Sequence, residues 1–509
     1  MKREFESERQ GLLISVWRGI LVGLMAGALV SAFRWLIAKL FRLFLNAYHL
    51  AQSQLAWALI LLLLSLLLIY CVGVLVKSEQ DIKGSGIPHV EGELMGLLHP
   101  NWWSVLWRKF VGGVISISMG LMLGREGPSI QLGAMTAKGI AEKLNLSRRE
   151  QRILIASGAA AGLSAAFNAP IAGLLFVVEE VYHHFSRHVW ITALVASLVA
   201  NAVSLQVFGQ KAVLAMPDDL PIFPLKSYWI LIIMGLVMGL LAYLYEWVIL
   251  RMGILYGHLG RIIHLPPHHY GIIALIFIFP LGLLFPQLLG GGNELIVSLP
   301  QSSLVFQIAF AYLIIRFVGS MISYGSGLPG GIFLPLLTLG ALAGYTFGLF
   351  VSDLSWMHQA NLALFLIFGM SAYFGAVSKA PLTAMILVTE MVGNLQQLMP
   401  LAVVTLLAYL VMDLLGGEPV YEAMLVKMIP SLSVDTDSQP TIIDLPVTDR
   451  FAGRRVSELS LPQDVLIYSQ VYQHQTEVVN GQTLLKAGAK LYILVNETEI
   501  KTVRRYFLS

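Results

Sequence analysis

Three short motifs in this sequence place glycine and proline at what reads as the start of a helix: Gly84-Ser85-Gly86-Ile87-Pro88, Gly124-Arg125-Glu126-Gly127-Pro128 and Gly330-Gly331-Ile332-Phe333-Leu334-Pro335. Proline suits the first helical turn, where its missing N–H would have no partner, and glycine lets the backbone approach a ligand. The unpaired N–H groups and the positive dipole end at such a start attract anions. Three such ends could converge on one anion, although each alone also reads as a helix cap in a tight bend. Glu126 puts a carboxylate where a free anion would otherwise bind. Ionised, it competes with the anion; protonated, it loses that attraction and can swing away, so proton and anion occupancy become coupled. Its other reading is a structural pair with Arg125 or another cation, against which stands the functional default for ionisable groups inside a membrane. Glu179 and Glu180 form an adjacent acidic pair before Val181-Tyr182-His183-His184, near a helix end with one or both facing water.

Composition defines the elements that must position these groups. Of the 509 residues, 57% are hydrophobic and 12% charged, and the mean hydropathy is +0.74; soluble domains carry about 25% charged residues. At ~20 apolar residues per crossing, about ten to twelve apolar stretches fit between residues 11 and 429. The chain therefore reads as an all-α polytopic membrane protein, and a soluble enzyme is excluded. Runs at 11–50 and 54–76 are ordinary spans, the first with tilt or an interfacial portion. Later runs are cut by Gly and Pro at 84–88, 124–128, 168–170, 290–292, 327–335 and 379–381. Broken helices at membrane depth survive only where they line a cavity or lie buried in protein, which points to a transport site.

The halves repeat. Gly124, Pro128, Leu132, Gly133 and Ala134 recur as Gly331, Pro335, Leu339, Gly340 and Ala341, shifted by 207, and Ala169-Pro170, Val177 and Glu179 recur as Ala380-Pro381, Val388 and Glu390, shifted by 211. Two matches in the same order at nearly one offset indicate an internal repeat, with the halves at about 11–210 and 226–429. The pattern leaves open whether the repeats are inverted.

Met1–Gln10 is charged with both signs and lacks the features of a cleaved signal peptide; Lys2, Arg3, Arg9 and Arg18 ahead of the first span place that end in the cytoplasm. The net charge is only +3 and the charges are mixed, so no basic face for a nucleic-acid backbone appears. The single cysteine, Cys71, lies in an apolar run and excludes an intramolecular disulfide. No metal site or cofactor motif is found; His89, His183 and His184 read as surface histidines, and Glu91 and Glu390 as helix-cap or packing residues. From about Pro430, Asp435, Asp437, Asp444, Asp449, Arg450, Arg454 and Arg455 precede strand-like runs at 465–472 and 490–495. A small α+β soluble domain over 430–509 is expected there, close to the lower size for a self-supporting core, so that pairing with a second copy is reasonable.

Taken together, Gly84 to Pro88, Gly124 to Pro128, Gly331-Ile332-Phe333-Leu334-Pro335 and the late Tyr421 resemble the CLC chloride channels and chloride/proton exchangers over roughly residues 15–427, and the stretch from Ala159 to Glu180 is similar to the prokaryotic members. The resemblance implies an inverted-repeat, all-helical fold with an anion pathway in each subunit of a homodimer. By resemblance, Ser85, Tyr421 and the backbone N–H groups of Ile332 and Phe333 hold the central chloride, Glu126 is the external gating glutamate and Glu180 the internal proton-transfer glutamate. Ser85 alone would read as an N-cap and Tyr421 alone as an interfacial aromatic. Nitrate-preferring members carry proline at the Ser85 position and fluoride exporters depart from the Glu126 motif, so chloride is implied. The tail from about Thr441 to Phe507 resembles the C-terminal lobe of RCK (TrkA-C) domains through Gly453-Arg454-Arg455-Val456-Ser457-Glu458-Leu459 and Gly481 to Gly488. Such lobes are regulatory dimerisation modules that sometimes bind a small cytosolic ligand; no GxGxxG supports NAD or ATP binding.

These readings predict a chloride/proton antiporter in the cell membrane, multi-pass, with both termini cytoplasmic. The alternative in the same fold is a passive, voltage- or ligand-regulated chloride channel, against which Glu180 speaks. A potassium channel or cation transporter, suggested by the tail alone, lacks a TVGYG filter, and a membrane enzyme lacks any nucleophile-plus-base arrangement or metal motif near the broken helices.

Overall fold

The computed structural model describes residues 2–182, 186–210, 212–217, 220–354, 356–357, 361–429, 440–448, 450–459, 461, 465–473, 475–496 and 500–508. It divides into two compact units, Met1–Leu425 and Val426–Ser509.

The first unit is helical throughout. Its first half comprises α1 (Lys2–Ser53), α2 (Leu55–Ser78), α3 (Ile87–Met95), α4 (Trp102–Ser118), α5 (Glu126–Lys143), α6 (Arg148–Phe167), α7 (Pro170–Phe176) and α8 (Arg187–Phe208). The second half comprises α9 (Tyr228–Ile249), α10 (Met252–Ile262), α11 (Gly271–Leu284), α12 (Asn293–Ser298), α13 (Phe306–Gly325), α14 (Phe333–Asp353), α15 (Leu362–Ser378), α16 (Pro381–Val392), α17 (Leu398–Leu414) and α18 (Val420–Met428). Among the described residues, seven helical stretches are long and apolar enough to cross a membrane, and α15, α16 and α17 are shorter apolar helices. The helix starts carry ordinary signals where they meet polar surroundings: Ser147 and Glu150 form a capping box at α6, and Asn101 accepts the Ser104 N–H at α4.

The two halves repeat in structure. Offset by 207, α4 and α5 correspond to α13 and α14; offset by 211, α6 and α7 correspond to α15 and α16. Even backbone exceptions recur, for Asn168 and Lys379, 211 apart, both close their helices in the left-handed region at φ 55° and 54°. α5 and α14 are buried along almost their whole length, each against the helix that follows it. Glycine makes that approach feasible: a side chain on Gly133 would collide with the Gly158 carbonyl of α6, and one on the corresponding Gly340 would collide with the Gly369 carbonyl of α15. With no hydrophobic driving force between helices in lipid, close backbone packing through small residues holds such pairs together.

The second unit is a four-stranded antiparallel sheet in the order β1-β4-β2-β3, with β1 (Pro440–Pro446), β2 (Leu466–Tyr472), β3 (Gln475–Val478) and β4 (Lys490–Asn496), followed by α19 (Ile500–Leu508). Alternate residues Leu491, Ile493 and Val495 of the central β4 are buried with Ile443 and Leu445 of β1 and Val503 and Phe507 of α19. The strand-like runs expected at 465–472 and 490–495 are β2 and β4; Asp435, Asp437 and Asp449 lie outside the described residues.

Candidate functional site

The loop before α3 is shaped by a buried cation. Lys109 of α4 is fully buried, and its Nζ donates to the carbonyls of Ile82 (2.9 Å) and Gly84 (2.8 Å). Gly86, at φ 89°, then turns the chain into α3. The second half repeats the device. Arg316, 207 residues after Lys109, is also fully buried and donates to the carbonyls of Leu288 (2.8 Å), Gly290 (2.7 Å) and Gly291 (2.8 Å), ahead of Gly292 at φ 102° and α12. Among the described residues neither cation has a carboxylate partner; backbone carbonyls satisfy it, and those of Ile82, Leu288 and Gly290 take no other donor there.

The three motifs meet at backbone hydrogen bonds. Gly124 and Gly331, repeat mates, exchange both backbone hydrogen bonds at 2.7 Å, and the Gly330 N–H donates to Gly84 O at 3.0 Å. A pair that exchanges both bonds between equivalent residues is a point of local two-fold symmetry, where the starts of α5 and α14 meet. A side chain on Gly127, in the first turn of α5, would run into Ser85 Oγ, so Ser85 sits against that helix end. Ile332 and Phe333 precede the first intrahelical bond of α14, which runs from Leu336 N to Ile332 O at 2.8 Å, so their N–H groups belong to its unpaired start. Glu126 opens α5, fully buried and ion-paired with Arg125 (Oε1 to Nε 3.6 Å), with no hydrogen-bond partner on either oxygen among the described residues. A side chain on Gly124 would meet Glu126 Oε2 at 2.5 Å and Leu334 N at 3.1 Å, which puts the carboxylate at the start of α14.

Tyr421, near the start of α18, is fully buried, and its phenol oxygen has no hydrogen-bond partner among the described residues, as is true of Ser85 Oγ. It is not the interfacial aromatic that its position alone suggested. Phe176 stands edge-on to both Tyr421 (6.3 Å) and Phe333 (5.7 Å), and Phe167 and Phe374 pack on Phe333 at 5.2 and 4.3 Å. The result is an aromatic-lined cluster that gathers the hydroxyls of Ser85 and Tyr421, the starts of α5 and α14 and the Glu126 carboxylate. Buried polar groups are nearly always satisfied in native structures, so this concentration marks a ligand site.

Glu179 and Glu180 sit on a π-helical turn, Val177–Val181, that continues α7. Such turns cluster at functional sites, and the wider turn sends the two carboxylates in different directions. Glu180 does not face water: it is only 4% exposed and lies within electrostatic reach of Tyr421, Glu91 and Glu422. Glu179 is half-buried and caps the opposite repeat, accepting from Leu382 N (3.1 Å), Thr383 N (2.7 Å) and Thr383 Oγ1 (2.7 Å) at the start of α16. Its repeat mate Glu390 returns the contact, accepting from Ile171 N (3.1 Å) and Ala172 N (2.8 Å) at the start of α7.

Glu91 is buried as a packing residue rather than a cap, with Oε2 unpartnered. His89 is a correction to the surface reading: it is 4% exposed, because α3 is enclosed on every side, and only Met95 at its end is exposed. His183 and His184 lie outside the described residues. No cluster of His, Cys, Asp and Glu that could hold a metal occurs among the described residues.

Ser85, Glu126, Ile332, Phe333 and Tyr421 are thus gathered in one cluster, with Glu180 within electrostatic reach of Tyr421. Sequence reasoning missed Lys109, Arg316 and Arg34, although cations inside apolar spans were a visible signal and the first two share the 207 offset.

A family model described as Voltage gated chloride channel matches residues 68–413, and a TrkA-C domain model matches 441–508. The H(+)/Cl(-) exchange transporter ClcA of Salmonella arizonae is 33% identical over 429 residues, 82% of this chain and 88% of that protein. The protein of the same name from Klebsiella pneumoniae is 32% identical over 418 residues, covering 81% and 87%. Among solved structures, a slow cyanobacterial Cl-/H+ antiporter superposes with TM-score 0.77 at 29% identity, over 82% of this chain and 99% of that one. A eukaryotic CLC transporter shares the fold, with TM-score 0.68 at 20% identity over 82% of this chain and 74% of that one.

Proposed function

The chain belongs to the voltage-gated chloride channel (CLC) family, and from that premise we propose that it exchanges chloride for protons across a cell membrane, with Glu126 as the gate. The observation that carries the reading is the meeting of the starts of α5 and α14 at a buried Glu126, which is paired only with Arg125 among the described residues and accepts no hydrogen bond there, with the hydroxyls of Ser85 and Tyr421 also lacking hydrogen-bond partners. Each helix start offers roughly half a positive charge and free N–H donors. Ser85, Tyr421 and the N–H groups of Ile332 and Phe333 hold the central chloride. Ionised, Glu126 takes the anion's place; once protonated, it no longer competes and chloride enters. Glu180 passes protons between the cytoplasm and the cluster, a role supported by its burial within reach of Tyr421. Relatives named as exchange transporters support chloride and protons as the two substrates.

The subunit works as a homodimer in the plasma membrane with both termini cytoplasmic. Residues 1–10 form the cytoplasmic N-terminus, 11–429 the transport domain and 430–509 a regulatory tail that clamps the dimer or binds a small cytosolic ligand.

Proton flux into liposomes tests the reading, with a chloride gradient imposed and a potassium ionophore holding the voltage near zero. Proton movement driven by chloride is expected in the wild type. Glu126→Gln is expected to stop proton movement and keep chloride passage, and Glu180→Gln to act similarly. Chloride flux without protons in the wild type would establish the passive channel instead, and coupled proton transport surviving in either variant would remove that residue's role.

A further inference from the structure

Helix α1 keeps a fixed register with both α6 and α8. Against α8 the step is constant at 173 residues: a side chain on Gly27, Gly23 or Gly19 would collide with Ala200, the Ala196 carbonyl or the Thr192 carbonyl, and one turn earlier Ser15 meets His188. Against α6, Arg18 meets Glu150 and Arg34 meets Ala165, 132 and 131 residues on. A constant difference means that the helices run in the same direction, so α6 and α8 begin on one side of the membrane. Their positive dipole ends and the basic residues of their first turns gather there.

The glycine seam closes α1 on α8 as far as Gly19. Beyond it, where Ser15 takes the place of glycine, a cavity of about 240 Å³ lies between α1, α6 and α8. A single water needs about 10–15 Å³ on a comparable measure, so a polyatomic group fits. One wall is polar. Ser15, buried, donates its hydroxyl proton to Gly11 O at 2.9 Å, so in its 3.2 Å contact with His188 the donor is Nδ1, and Nε2 is the nitrogen left for a ligand. Arg18 donates through Nη1 to Glu150 at 2.9 Å, but that carboxylate already caps α6, accepting from Ser147 N (3.0 Å) and Ser147 Oγ (2.6 Å). Arg149, which also lines the cavity, is exposed and has no hydrogen bond or ion pair with a described residue. Two guanidinium groups and an imidazole therefore share one committed carboxylate. The other wall is apolar, with Leu154 and the half-exposed Ile14. Ile14 lies one turn from Trp17, which with Leu13 is among the most exposed apolar side chains of α1. A tryptophan at such a helix end belongs at the headgroup level of a bilayer.

We infer that this cavity binds the phosphate of an anionic phospholipid. Arg18, Arg149 and His188, one from each of three helices, donate to the phosphate oxygens, and the acyl chains leave over Ile14 and Trp17. The phosphate supplies several acceptors to converging donors, and its charge offsets the positive helix starts around it. A free phosphate has the same oxygens but makes no use of the apolar wall, which continues onto the exposed face of α1. The site does not depend on which ions the protein carries.

Native mass spectrometry of the full-length protein in detergent tests the site, with phosphatidylglycerol, phosphatidylcholine and inorganic phosphate as probes. The wild type should retain one phosphatidylglycerol per chain in preference to phosphatidylcholine, whose choline cancels the charge, and an equal amount of inorganic phosphate should not displace it. Arg149→Gln should weaken retention about five-fold, and Arg18→Gln combined with Arg149→Gln about twenty-five-fold. Arg149→Lys should keep most of the affinity. Arg261→Gln, which removes an exposed arginine of α10 outside the cavity, should change nothing. Should the double variant fail to fold, Arg149→Gln decides alone, because its side chain is exposed and holds no described neighbour. Equal retention by Arg149→Gln and the wild type, an equal loss in Arg261→Gln, indifference between the two lipids, or displacement by inorganic phosphate would each overturn the lipid site.

Discussion

Replacing Glu179 with alanine removes a cap whose helix lies in the other repeat, so the damage should appear about 200 residues away. The carboxylate accepts three hydrogen bonds from Leu382 and Thr383, and Glu390 accepts two from Ile171 and Ala172. Three charge-assisted bonds would sum to more than about 4 kcal/mol if fully buried. Both carboxylates are half-buried, however, so water can re-solvate the freed N–H groups, and measured caps of about 0.5–2 kcal/mol set the scale. We therefore expect about 2 kcal/mol for Glu179→Ala, and about 1.4 kcal/mol for Glu390→Ala with its smaller bond count. Hydrogen exchange by mass spectrometry reads these values locally. The amides of Leu382 and Thr383 should exchange roughly thirty-fold faster in Glu179→Ala, and those of Ile171 and Ala172 roughly ten-fold faster in Glu390→Ala. Glu179 lies eight residues after Ile171 along α7 and the turn that continues it, about 12 Å, so the double variant should show both changes additively within about 0.5 kcal/mol. Unchanged protection in the opposite repeat, or loss confined to the mutated residue's own helix, would refute the reciprocal-cap argument.

Three other outcomes follow from the same geometry. Arg316→Met leaves two buried carbonyls, of Leu288 and Gly290, without a donor among the described residues, and Lys109→Met leaves one, of Ile82, because Gly291 O keeps Thr338 Oγ1 and Gly84 O keeps the Gly330 N–H; at about 1–3 kcal/mol for each group left unsatisfied, both should lower the yield of folded, monodisperse protein on size exclusion, Arg316→Met more. Gly133→Val should prevent α5 from seating on α6 and abolish folding, whereas Gly253→Ala on α10, where a methyl meets open space, should raise the thermal midpoint, with a gain of up to about 1 kcal/mol. In the tail, Lys490 beside Asp444 and Lys486 beside Glu477 hold both carboxyls below their usual range; that contribution is present above the ordinary carboxylate range and lost as pH falls through and below it, so exchange protection of β1 and β3 should decline there, and less so in high salt.

How much of this was legible without coordinates depended on whether the signal was local. Gly124, Glu126 and Pro128 carry theirs within five residues, because helix starts, dipoles and proline's missing donor act over a single turn. The repeat was legible as well, since equivalent positions keep their residue types at offsets of 207 and 211. The capping role of Glu179 was hidden for the opposite reason: nothing near it shows that the unpaired start of α16, 203 residues on at Leu382, would come to meet its carboxylate. His89 was misjudged likewise, for the enclosure of α3 is made by other segments. Lys109 and Arg316 were visible as charges in apolar helices, but their task depends on loops that end 25 residues upstream, at Gly84 and Gly291.

The sequence by itself determined that the chain lives in a membrane, that its helices break at defined glycines and prolines, and that a carboxylate stands at one of those breaks, because each of these is settled by composition or by the chemistry of a few adjacent residues. Only the tertiary structure decided that three helix starts meet, that Gly124 and Gly331 join them, that Glu180 is buried within electrostatic reach of Tyr421 and that Arg34 lies within electrostatic reach of Glu126. Those facts depend on where distant segments pack, and packing at membrane depth is governed by the requirement that every buried polar group find a partner, which no single stretch of sequence can satisfy alone.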